Sequence, residues 1–196
     1  MQIVINPDAA NSRKVVLCER IIHETSADYH PTYVVLDHAD YAEQPELLTE
    51  FRDLAFAWKR NDPIERTPHY LRLLMNETSC DSLIWLSHRA LGFDDRLFTW
   101  LLVHELRHVY QFRIGYQTSN VRAAVANLRR KSEFLTLPAT LFAPTEMDSE
   151  LYAYRYCRRS FEDGDGFTQF QRNTALPRCP GEPYWRFLSE LDAAMP

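Results

Sequence analysis

Residues 104–111 read HELRHVYQ. Two histidines stand four residues apart, and a glutamate directly follows the first. On a helix, positions i and i+4 lie on one face, one above the other. His104 and His108 can then each direct a ring nitrogen at one metal ion. Glu105, one residue round, can reach a water on that ion. This is the HExxH spacing: two zinc ligands and a general base. Zinc lowers the pKa of a bound water towards about 7. A glutamate placed as Glu105 takes the proton while the water attacks a carbonyl, then delivers it to the leaving amine.

The bland alternative is a helix that spells the pattern by accident, with His104 and His108 as satisfied core residues. Context weighs against it. The motif sits in the apolar segment LFTWLLVHELRHVYQF. A buried helix rarely spends three ionisable residues on one patch without a compensating partner, and a zinc ion is such a partner. A different alternative keeps the metal and drops the catalysis, leaving a regulatory or protein-interaction module. The intact Glu105 favours an enzyme, because a purely structural zinc needs no general base.

A catalytic zinc takes a third protein ligand and keeps one position for water. In the extended pattern HExxHxxGxxH the third histidine follows on the same run. Here Gln111 stands at the glycine position and Ile114 at the histidine position, which excludes that class. The ligand is expected from a later element, and PTEMDSELYAY (residues 144–154) offers Glu146 and Glu150, four apart on one helix face. Small residues three and seven positions after Glu146 (Ser149 and Ala153) would let that helix pack closely. Glu146 is therefore the first choice. Glu150 is the alternative, or the residue that orients a ligand from behind. Without a metal, both acids read as ordinary negative charge at a helix start. Asp148 is read that way in either case.

The pair HELRH and EMDSELYA resembles the gluzincin branch of HExxH zinc metallopeptidases, in the style of its small single-domain members. The order of elements is similar from about residue 45 to 161. The first forty-odd residues and the tail after Gly166 match no part of that pattern. The resemblance implies one zinc ion per chain held by His104, His108 and Glu146. It also implies Glu105 as general base and hydrolysis of a peptide bond in a peptide or protein substrate. The strand before the motif helix often borders the substrate cleft in such enzymes. IWLSHRAL could then pair with an extended peptide through its edge, and His88 on it could contact substrate or the oxyanion. An ordinary surface or core histidine is the plainer reading of His88. Tyr152, Tyr154 and Tyr156 could supply a transition-state donor, although an amphipathic packed aromatic face accounts for most of them.

The elements that must position these groups follow from periodicity. QIVIN and TYVVLDH read as strands, with the helix RKVVLCERIIHE between them and Ser12 as its cap. Residues 45–60 place Leu47, Phe51, Leu54, Ala55 and Trp58 on one face, which predicts a helix opened by Pro45. Two apolar runs flank NETSC, which predicts a hairpin or neighbouring strands over residues 69–91. Asp94 or Asp95 caps the motif helix, which runs from about Arg96 to Ile114 and ends at Gly115. VRAAVANLRRK reads as a short helix, and FLTLPATLFAP as irregular and apolar. Pro144 opens the glutamate helix, and EDGDG stops it. FEDGDGF fails as a calcium loop, because Phe161 and Arg172 would fall where acids are required. YWRFLSELDAAM reads as a final helix. The fold class expected is α+β and zincin-like: a small, mainly antiparallel sheet packed on the HExxH helix, followed by the glutamate-bearing helix.

Length and composition bound the rest. At 196 residues, 45% of them hydrophobic, the chain reads as one domain over residues 1–196 with its core at about 45–161. A formal charge of -5 argues against a dedicated nucleic-acid or anionic-membrane binder. No signal peptide or spanning segment is read, so a cytoplasmic location is expected. Cys18, Cys80, Cys157 and Cys179 are widely spaced, form no CxxC pair and read as reduced thiols. RRK at residues 129–131 reads as a solvated helix end. Oligomeric state and substrate preference are not encoded legibly.

Overall fold

A computed structural model describes residues 2–5, 12–25, 32–36, 55–60, 76, 80–115, 118–161, 166–173 and 181–195. The chain divides into two compact units, 1–112 and 113–196.

The first unit is built on a four-stranded mixed sheet. Strands β1 (Gln2–Ile5), β2 (Thr32–Leu36), β3 (Ala55–Lys59) and β4 (Ser82–Leu86) lie in the order β1-β2-β4-β3. β1 pairs with β2 and β2 with β4 in parallel, while β3 runs antiparallel to β4. The class is α+β, but two of the three pairings are parallel, which corrects the expected mainly antiparallel sheet. The reason lies in helix α1 (Ser12–Thr25), which sits between β1 and β2 in the chain. Parallel neighbours need a crossover of roughly a dozen residues or more, usually helical, and residues 6–31 supply it. All five residues of β4 are buried, as expected of a central strand covered on both faces.

A second correction concerns residues 55–59. They form β3, where the sequence pattern predicted the last turns of a helix. Phe56 and Trp58 stack at 5.3 Å, and Phe56 stacks on Trp85 of β4 at 5.6 Å. The same-face stack along β3 and the cross-strand pair Phe56–Trp85 stabilise a pleated surface and outweigh the helical reading. Residues 45–54 of that expected helix lie outside the described residues, as do residues 69–75 of the expected hairpin.

Helix α2 (His88–Leu91) follows β4 at once, and Ser87 opens it by accepting the Ala90 N–H at 3.2 Å. Helix α3 (Asp95–Ile114) carries the motif. Asp94 caps it as expected, accepting the Leu97 N–H at 2.9 Å. Gly115 ends it at φ 74°, in the left-handed region that glycine enters without steric cost. Phe98, Trp100, Leu102, Val103 and Leu106 are buried, as are Leu17, Cys18 and Ile21 of α1. Lys14 of α1 ties down the start of α3. Its ammonium donates to the Phe93 carbonyl at 2.8 Å and to Asp95 at 3.0 Å.

The second unit is helical. Helices α4 (Ser119–Leu128), α5 (Pro144–Ser160), α6 (Gly166–Asn173) and α7 (Glu182–Ala194) are joined in part by 3-10 turns at Ser132–Phe134 and Ala139–Phe142. The proline-opened helix begins at Pro144 as expected. Helices α4, α5 and α7 pack on one another. Their core is aromatic: Phe134 and Phe142 meet Phe187 edge-on at 5.1 and 5.0 Å. Arg155 of α5 pairs with Asp192 of α7 at 2.5 Å. Among the described helices, none is long and apolar enough to cross a membrane.

Candidate metal centre

Helix α3 places His104 and His108 on one face, as the four-residue spacing requires. His104 is buried and His108 half-buried. Their Nε2 atoms lie 3.0 Å apart, with the rings edge-on at 72°. Two nitrogens bound at 2.0–2.1 Å to one tetrahedral ion stand about 3.3 Å apart. The pair is thus already set at close to chelating separation. Next to His108 in sequence, Arg107 lies with its guanidinium 4.6 Å from the centre of the Tyr110 ring.

The second nitrogen of His108 is also engaged. Its Nδ1 lies 3.0 Å from Oε1 of Gln111, one helical turn on. A carbonyl oxygen only accepts, so in the tautomer that satisfies this contact Nδ1 carries the proton and Nε2 is left with its lone pair towards His104. Gln111 is 1% exposed. Sequence reasoning passed over it, treating it only as a glycine that was missing. The legible signal was its i+3 spacing from His108, which puts the two on one helix face.

Glu146 lies in the first turn of α5. His104, His108 and Glu146 each offer a ligand atom, all within 4.8 Å of one another. Two imidazole nitrogens and one carboxylate oxygen form a donor set of the kind that holds transition-metal ions, zinc and iron(II) among them. Three protein donors also leave a fourth position open. Of the two expected glutamates, Glu146 belongs to this group. Glu150, one turn further, is buried, and its charge adds to the effect of burial in pushing the Cys157 thiol well above its ordinary range. Glu105 is buried beside the histidines in sequence, at 8% exposure.

His88 falls at the start of α2, not on a strand. The expected edge pairing of residues 84–91 with a substrate is corrected as well. β4 is an interior strand with β2 on one side and β3 on the other, so its backbone groups are already spent. Of the three tyrosines, Tyr154 packs edge-on against Phe167 at 5.3 Å and belongs to the core of the second unit. Tyr156 is buried and Tyr152 half-buried. Residues 162–165 of the EDGDG turn lie outside the described residues, and Gly166 begins α6. Cys18, Cys80 and Cys157 are buried thiols.

Comparison of the chain with protein-family models, with curated proteins and with solved structures returns no match.

Proposed function

We propose that this protein is a zinc-dependent hydrolase of the gluzincin type, cleaving a peptide bond. The observation that carries the reading is the convergence of two imidazole nitrogens and a carboxylate oxygen within 4.8 Å, the two histidines standing on a helix that also bears Glu105. His104, His108 and Glu146 are the residues that would hold the ion. Bound there, zinc supplies Lewis acidity, lowering the pKa of water and polarising a carbonyl.

The chain's own residues do the rest. The Glu105 carboxylate accepts a proton from the attacking water and returns it to the leaving nitrogen, which avoids expelling an amide anion. The three protein ligands leave a coordination position for chemistry, where a purely structural site would close with a fourth.

The test is Glu105→Gln beside wild type on a broad peptide library. The substitution removes the base and none of the three ligands. Zinc should stay bound while hydrolysis falls about 10²–10⁴-fold, the usual worth of a positioned general base. Equal activity in both proteins refutes the catalytic reading.

A further inference from the structure

We infer that Gln111 is a positioning residue that fixes the tautomer of His108 and so presents its Nε2 lone pair for metal binding. The inference rests on the metal reading above and extends it to a residue that touches neither ion nor substrate.

The neutral imidazole has one N–H and one lone pair, and only the lone pair binds a metal. Which nitrogen is free depends on what the other is bonded to. His108 Nδ1 has a carbonyl acceptor at 3.0 Å in Gln111. That bond holds the proton on Nδ1. It also sets the ring plane, because the acceptor sits on the same rigid helix one turn away. His108 Nε2 is left as the acceptor facing His104 Nε2 at 3.0 Å. With that tautomer the order would be His104 Nε2–H to His108 Nε2, and His108 Nδ1–H to Gln111 Oε1. Only the His104 proton must be displaced for both Nε2 atoms to face one ion. Without Gln111, His108 can hold its proton on Nε2, which closes the site.

Gln111 is 1% exposed, so a polar side chain is buried here at a cost that its bonds must offset. A merely structural glutamine would satisfy the same requirement. The two roles differ in what they do to His108, and that difference can be measured.

The experiment compares wild type, Gln111→Met and Gln111→Glu. Methionine keeps the volume and removes the acceptor, while glutamate keeps an acceptor at the same reach. Circular dichroism and melting confirm that each variant folds. Zinc affinity is read by competition with a chromophoric chelator, and the His108 tautomer by ¹⁵N chemical shifts in the zinc-free protein. The expected result is zinc binding weakened about 10–100-fold in Gln111→Met, the usual effect of losing a partner behind a ligand. Gln111→Glu should bind at least as well as wild type. In zinc-free wild type His108 should show a protonated Nδ1 and a bare Nε2, with a shift towards Nε2–H in Gln111→Met.

Equal zinc affinity in a folded Gln111→Met protein overturns the inference. So does equal loss in the methionine and glutamate variants, or a wild-type His108 protonated on Nε2. The last would mean that the amide N–H of Gln111 donates to Nδ1. Failure of the wild type to take zinc would instead sink the metal reading, and the tautomer comparison would still decide the role of Gln111.

Discussion

His104 and His108 are held with their Nε2 atoms 3.0 Å apart, on two successive turns of one capped helix. Two ring nitrogens at this distance share a proton or a metal. A ligand that binds the folded state alone raises its stability by RT ln(1 + [L]/Kd), about 2.7 kcal/mol at a hundredfold excess over Kd. Added zinc should therefore raise the melting temperature of wild type and leave that of His108→Ala unchanged. A calorimetric scan with and without zinc checks this.

Asp95 receives Lys14 and Arg13 at 3.0 and 2.6 Å. Burial pushes its carboxyl up, but hydrogen bonds and charge from Lys14 and Arg13 prevail and hold it below the usual carboxylate range. A depressed folded pKa contributes stability above the unfolded value, about 3.9. That contribution is lost as pH falls through the folded pKa. Asp95 is 35% exposed while Lys14 is nearly buried, so screening trims the pair. Asp95→Asn should cost about 1–2 kcal/mol at pH 7, much of it from leaving the buried Lys14 ammonium without its carboxylate. Urea unfolding at pH 7 and again near pH 3 should show the gap between variant and wild type narrowing at the lower pH.

The central strand sets the stability of the first unit. Leu83, Ile84 and Leu86 have no exposed surface. Leu86→Ala should destabilise by about 2–5 kcal/mol through lost burial and the cavity left behind. Leu135→Ala, at a residue 70% exposed, should change stability by less than about 0.5 kcal/mol. Denaturant midpoints of the two variants measure the contrast.

The buried thiols should be inert. Burial pushes Cys18 up to about 12, against a smaller opposing pull from Lys14. At pH 8 roughly one Cys18 in ten thousand is then thiolate, the reactive form. Alkylation of the native protein, mapped by mass spectrometry, should leave Cys18 and Cys157 unlabelled until denaturant is added.

The motif helix was legible almost to the residue, because its ends are written in local chemistry: Asp94 as cap and Gly115 as stop. The same holds for Pro144 at the start of α5. The sheet was harder. AFAWK fits the last turns of a helix as well as a strand. Its pairing with β4 is a tertiary fact that no five-residue window contains. The parallel pairing of β1 and β2 was in principle readable from strand, helix and strand in succession, since that order demands a crossover. The end of β4 was signalled by Ser87, a capping residue three before Ala90, which moves His88 off the strand. Of the candidate site, the spacing of His104, Glu105 and His108 was plain. Glu146 could only be ranked above Glu150, because the choice rests on which carboxylate comes within reach of the histidines. Gln111 was overlooked because its role appears only once the His108 ring has an orientation.

The most direct test of the account is metal content. Elemental mass spectrometry would be run on protein purified without metal-affinity resin, for wild type, His104→Ala, Glu146→Ala and Glu150→Ala. The account predicts about one zinc per chain in wild type and in Glu150→Ala, and its loss in His104→Ala and Glu146→Ala. Wild-type protein that holds no zinc even after zinc is added back would contradict it, and HELRHVYQ would then be a helix with an accidental spelling.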